Sequence, residues 1–157
     1  DALNSNNLLK DRLEAIRLQA GLAMGLGDVA NKAVPKMCLV STPGSGGHIN
    51  TRTFIPHICH QAIGVLGAVS VATACLFKNS VIFDLAQFGL DEKNTHANLV
   101  PLRIEHPFGF FDVELEVEKS HSARDEVTIL RSGLLRTARL ISKGEVFIPL
   151  HIWNGKG

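Results

Sequence analysis

Residues 62–77 form the most apolar stretch of the chain and carry no charged side chain. The run is shorter than the ~20 residues a membrane-spanning helix needs, so it has to be covered by protein instead of lipid. Gly64, Gly67, Ala68, Ser70, Ala72 and Ala74 leave it unusually little bulk, which lets surrounding backbone approach closely. A buried core helix over about 61–77 is therefore expected, and the rest of the fold has to supply its cover.

From Leu99 onward the hydrophobic period becomes two. Phe111, Val113, Leu115 and Val117 alternate with Asp112, Glu114, Glu116 and Glu118, the pattern of a sheet that is wet on one face. Further strands are expected at 126–131, 134–141 and 146–149, with turns at Ser132-Gly133 and Lys143-Gly144. Upstream, Met37–Ser41 and residues 51–55 read as a hairpin joined by a flexible turn containing Pro43, Gly44, Gly46 and Gly47. Leu9, Leu13, Ile16 and Ala20 recur at helical spacing, so residues 7–25 are expected to form an amphipathic helix with Lys10, Asp11, Glu14 and Arg17 elsewhere on its surface. Gly25 or Gly27 would close it. Residues 84–98 are polar and aperiodic, as in an exposed connection.

The chain has 157 residues, which fits a single domain. Residues 1–35 would be an entry helix and linker, and 36–157 a curved, mostly antiparallel sheet or barrel around the apolar helix. Sixteen basic against fifteen acidic residues leave a net charge of +1, so charge alone would hold neither nucleic acid nor an anionic bilayer. Three cysteines without CxxC spacing suit reduced thiols and a cytoplasmic setting better than a disulfide framework. The start at Asp1 instead of Met leads us to expect a fragment or a processed chain.

The densest polar cluster, Arg52, His57, Cys59, His60 and Gln61, stands just before the apolar helix. A helix N-terminus offers unpaired N–H groups and the positive end of the dipole, which suits a carboxylate, and His or Gln beside it would add directional donors. The alternative is structural: His60 or Gln61 caps the helix and His57 faces solvent. His57, Cys59 and His60 lack the spacing of a metal site, and no metal is expected. Cys59 reads either as an inert thiol or as one activated by the helix end. His106, between two expected strands, is either a turn residue or a further site residue, and Arg131, Arg136 and Arg139 either pair surface acids or clamp a carboxylate.

Several segments together resemble the C-terminal half of the PrpF family, the 2-methylaconitate isomerases and 4-oxalomesaconate tautomerases, which is related in fold to diaminopimelate epimerase. The resemblance rests on Leu13-Glu-Ala-Ile-Arg17, Met24-Gly-Leu-Gly-Asp28, Val34-Pro-Lys36 and above all the run from Arg52 to Ala74. His106-Pro-Phe-Gly109, Leu134-Leu-Arg-Thr-Ala-Arg139 and Gly144-Glu-Val-Phe-Ile-Pro149 follow in family order. Phe54-Ile-Pro-His57-Ile-Cys-His60 is closest to the oxalomesaconate tautomerase branch.

The resemblance implies an α+β fold of two pseudo-symmetric halves, each a curved sheet wrapped around a central helix, with the active site between them. It also implies a cofactor-independent isomerase that shifts a proton and a double bond in a small unsaturated di- or tricarboxylic acid. Gly64 stands where the epimerases carry a cysteine, which argues against two-thiol racemisation. The proton-transferring residues are expected in a missing N-terminal half. This chain would then supply substrate binding, through Arg52, His57, His60, Gln61 and His106. Its partners would be a small polycarboxylate and that other half, and a homo-oligomer is compatible with the reading. A non-catalytic anion-binding domain of the same fold is the alternative.

Overall fold

The computed structural model describes residues 2–87, 98–119 and 127–156. Two helices, α1 (Ala2–Ser5) and α2 (Asn7–Ala23), precede strands β1 (Met37–Ser41), β2 (Ile49–Phe54) and β3 (Cys59–His60). Helix α3 (Val65–Ala74) follows, and β4 (Leu99–His106), β5 (Gly109–Lys119) and β6 (Val127–Leu134) complete the described elements. The architecture is α+β, with six strands in one open, mostly antiparallel sheet ordered β1-β2-β4-β5-β6. Strands β3 and β4 both pair with β2. Thr53 and Phe54 meet His60 and Cys59, while Ile49 and Asn50 meet Ile104 and Glu105 in the sheet's parallel pairing.

Alternation decides the faces. Ile49, Leu102, Ile104, Phe111, Val113, Leu115 and Val117 share one side and are buried with Ala68, Val71, Ala72 and Cys75 of α3 and its C-cap. Each large side chain among them contributes roughly 1.5–3 kcal/mol relative to exposure. The other side carries Arg103, Glu105, Asp112 and Glu114, and one bulge shifts register between Glu116 and Val117.

Helix α3 is shorter than the sequence predicts. Residues 55–58 turn tightly, with the Ile55 N–H donating to the Ile58 carbonyl, and Cys59–His60 returns as a strand instead of leading into the helix. The helix starts at Val65 after an extended Gly64. The described sheet covers α3 from one side, and Leu66 on the other is 78% exposed.

Two further corrections concern the C-terminal end. Ser132 and Gly133 lie inside β6, paired with Leu115 and Glu114, and make no turn. Residues 135–149 hold neither of the expected strands; apolar side chains among them, such as Ile141 and Phe147, stand in solvent. Of the expected 84–98 connection, residues 88–97 lie outside the described residues. Ile82 is buried in the core, with Leu85 and Ala86 packed against it.

Helix α2 has clear ends. The Asn6 side chain accepts the Leu9 N–H at 3.0 Å, a conventional N-cap. At the other end Gly25 (φ 72°) donates to Leu22 O and Leu26 to Gly21 O, the paired bonds of a Schellman motif. Its buried stripe is Leu13, Arg17 and Gly21. This corrects the expectation for Arg17, which is fully buried, and for Ile16, which is half exposed. Arg17 is accommodated because all five guanidinium N–H groups find acceptors. Two go to the Glu14 carboxylate and three to the carbonyls of Val29, Lys32 and Val34. The residue thereby clasps the 29–34 segment to the helix, and a Cβ on Gly21 would collide with Val29 there.

Candidate functional site

The sequence-predicted site residues separate onto two faces of the sheet. His60 pairs with Thr53, and paired residues share a face, so His60 sits on the α3 side. His106, two residues beyond the inward Ile104, lies on that side too. The Phe108 N–H donates to the Gln61 carbonyl at 3.2 Å, which ties the His106–Gly109 turn to the segment entering α3. His106 Nδ1 accepts the same N–H, also at 3.2 Å. Among the described residues no side chain caps α3, so the N–H groups of its first turn have no side-chain partner there. The end of α3, entered through Gln61 and lying on the same side of the sheet as His60 and His106, is the helix mouth; a helix end of this kind suits a carboxylate.

His57 is elsewhere. It is half exposed, and its Nδ1 is 3.6 Å from the Glu14 carboxylate of α2. Glu14 itself is held below the usual carboxylate range, first by its hydrogen bonds from Arg17 and also by the Arg17 and His57 charges, against the opposing effect of burial.

Arg52 lies on the opposite face from His60. Its Nη1 donates to Asn50 Oδ1 and to the Thr51 carbonyl, both at 2.7 Å, and the Asn50 amide in turn donates to Ser41 Oγ at 3.2 Å. Cys59 shares this face. Burial pushes its thiol up, and the nearby Arg52 charge only partly offsets that, so the activated-thiol alternative fails. Cys59 stands in β3 on the face turned away from α3, where the end of that helix does not favour a thiolate. Among the described residues, no three His, Cys, Asp or Glu side chains gather where a metal ion would sit.

Glu105 is a residue that sequence reasoning missed. It is 5% exposed, and its carboxylate accepts N–H groups from Gly44 (2.9 Å), Ser45 (2.7 Å) and Gly47 (2.8 Å). Burial would raise its pKa. The three N–H donors and the Arg52 charge together outweigh that and hold it below the ordinary glutamate value. The glycine-rich turn, expected to be flexible, is thus clamped. The signal was available in Pro43-Gly-Ser-Gly-Gly47, a run able to turn successive N–H groups toward one anion. A cavity of about 370 Å³ opens on the same face beside Gly46, His48 and Arg103, where Arg103 is already paired with Asp112 at 2.7 Å.

The remaining arginines divide. Arg131 pairs with Glu116 at 3.0 Å on the surface, and Arg136 stacks 5.4 Å from the Phe111 ring centroid. Arg139 is exposed and lies outside any strand.

The PrpF family model matches residues 1–149. The chain belongs to the PrpF family. It is 48% identical over 155 residues to a 4-oxalomesaconate tautomerase of Pseudomonas putida, covering 99% of this chain and 39% of that protein. It is 46% identical over 148 residues to a (4E)-oxalomesaconate Delta-isomerase of Novosphingobium sp., covering 94% of this chain and 38% of that one. This PrpF chain therefore spans about two fifths of the length of these relatives. A crystal structure of methylitaconate-delta-isomerase superposes with a TM-score of 0.60 over 86% of the chain and 39% of its own, at 18% identity. That likeness is one of fold. The family expected from the Arg52–Ala74 run and its companions is thus shown, and the relatives' names fall in the tautomerase branch. Among the described residues, no helix is long and apolar enough to cross a membrane.

Proposed function

We propose that this chain is the substrate-binding C-terminal half of a cofactor-independent tautomerase that shifts a proton and a double bond in a small unsaturated di- or tricarboxylic acid like oxalomesaconate. The observation that carries the reading is the 48% identity, across almost the whole chain, to a 4-oxalomesaconate tautomerase. The helix mouth supports it. Removing a carbon-bound proton next to a carbonyl leaves a delocalised anion, which needs fixed donors where charge develops. The first-turn N–H groups of α3 and the His60, Gln61 and His106 side chains are suited to hold a carboxylate in that position. Arg52 lies across the sheet from the helix mouth and His57 stands beside Glu14, so neither is part of the carboxylate cradle in this reading, and the proton-transferring residues belong to the remaining length that the relatives possess.

The same reading gives the chain its companion. The open side of α3, with Leu66 exposed, and the apolar residues 135–153 await cover, and a second half would complete the sheet around a central helix in a diaminopimelate-epimerase-like arrangement. The three free thiols fit a cytoplasmic setting. A non-catalytic anion-binding domain is the second reading, favoured by the 39% coverage of the tautomerase.

An ultraviolet assay that follows the conjugated double bond of oxalomesaconate separates the two. The chain alone is expected to be nearly inactive, and to turn over substrate when mixed with a polypeptide matching the rest of the tautomerase relative. His60→Ala is expected to weaken substrate binding about tenfold in that mixture. Efficient turnover by the chain alone refutes the placement of catalysis elsewhere, and a reconstituted pair without turnover favours the second reading.

A further inference from the structure

The face of the sheet opposite the helix mouth carries an arginine whose orientation is over-determined. Nη1 of Arg52 is spent on Asn50 Oδ1 and the Thr51 carbonyl, while its Nε and Nη2 have no hydrogen-bond partner among the described residues. That edge of a guanidinium matches a carboxylate in two parallel bonds. Asn50, which steers it, sits with Ser41 at the last paired position before the 42–48 loop. The loop's conformation is set by Glu105 through the three N–H groups. Gly47 fits so closely that an added Cβ would fall 2.5 Å from Glu105 Cγ. The main chain of Glu105 also faces Asn50 in the parallel pairing, and its carbonyl receives the Thr51 hydroxyl at 2.6 Å.

We propose that Arg52 forms a carboxylate-binding site on this face, separate from the helix mouth, and that Glu105 is its positioning residue, latching the Gly44–Gly47 loop so that the Nε–Nη2 edge stays presented. The ligand class is a small carboxylate. Glu105 does not touch it; its charge is satisfied by the loop. Arg52 is bonded to Asn50 and Thr51 and Glu105 to the loop, so the two charges do not consume the free edge.

Titration of the chain with propane-1,2,3-tricarboxylate, followed by NMR, tests both parts. Saturable movement of the Arg52 Nε–H resonance is expected, with binding at least tenfold weaker in Arg52→Gln. In Glu105→Gln the Gly44, Ser45 and Gly47 amides should exchange at least tenfold faster, the ligand-free Arg52 Nε–H signal should move, and affinity should fall several-fold while the β5 amides stay protected. Should that variant not fold, Gly47→Ala tests the latch with the carboxylate intact and is expected to show the same changes. Absence of binding, or movement confined to His60 and His106, overturns the outer-face site; the latter result leaves the helix-mouth reading standing. Binding lost in Arg52→Gln but unchanged in a folded latch variant overturns the role of Glu105.

Discussion

Two buried threonines on β2 allow a controlled test of the junction between β2 and β4. Thr51 and Thr53 are 1% and 6% exposed and lie on the same face. The Thr51 hydroxyl donates to the Glu105 carbonyl at 2.6 Å, whereas the Thr53 hydroxyl meets only the Cys38 sulfur at 3.7 Å. Thr51→Val removes a hydrogen bond of net value about 0.5–1.5 kcal/mol and leaves a buried carbonyl short of a partner, a penalty of about 1–3 kcal/mol. The methyl group gained in either variant recovers part of this, so Thr51→Val should cost about 2 kcal/mol and Thr53→Val within about 0.5 kcal/mol of nothing. In a chain of this size, 2 kcal/mol corresponds to roughly 4–8 °C in Tm. Urea unfolding of both variants beside the parent is the assay, with the slope required to stay constant so that midpoints report stability. Equal shifts in the two variants would refute the reasoning, because burial and strand are common to both and only the acceptor differs.

Three further outcomes are expected. Glu105, with its pKa lowered on folding, stabilises the chain fully above the ordinary glutamate value, and that contribution disappears as pH falls through the lowered one. Urea midpoints should therefore drop as pH falls below 4.5, the ordinary glutamate value, in the parent and less in Glu105→Gln; identical slopes would show that the latch contributes nothing. Cys75 is buried and its thiol is pushed up to about 11 by burial, so iodoacetamide at pH 8 should label Cys59 first and Cys75 only on unfolding. Equal rates in the folded chain would contradict the packing of α3. Arg17→Lys supplies three donors where five are used, so limited proteolysis should begin within residues 26–34 in that variant; an unchanged cleavage pattern argues against the clasp.

What the sequence made legible follows the physics of each element. Helix α2, the β1–β2 hairpin and the alternation of β5 were readable because each is dictated by neighbours close in the chain. Arg17 and Glu105 were not. In a helical or alternating pattern a charged residue reads as solvent-facing, and only the tertiary structure shows that three carbonyls converge on one and three N–H groups on the other. Residues 135–149 illustrate the opposite error: their strand-like composition is real, but a strand forms only where it pairs, and among the described residues they pair in no ladder. For the site, the Arg52–Gln61 cluster was visible as a group, yet strand alternation divides Arg52 from His60, a separation that depends on residues 59–60 pairing with β2 instead of extending α3.

The parallel seam between β2 and β4 also has a kinetic meaning. The antiparallel hairpins on either side close locally: Ser41 and Asn50 are 9 residues apart, as are Arg103 and Asp112. The seam brings together Thr51 and Glu105 across 54 residues. By chain statistics that closure costs about 1.6 kcal/mol more than either hairpin, for a pairing only two residues long. The seam is therefore expected to form later than either hairpin. Substitutions at Thr51 or Glu105 would then change the unfolding rate and leave the folding rate almost untouched, whereas changes within the β4–β5 hairpin would slow folding itself.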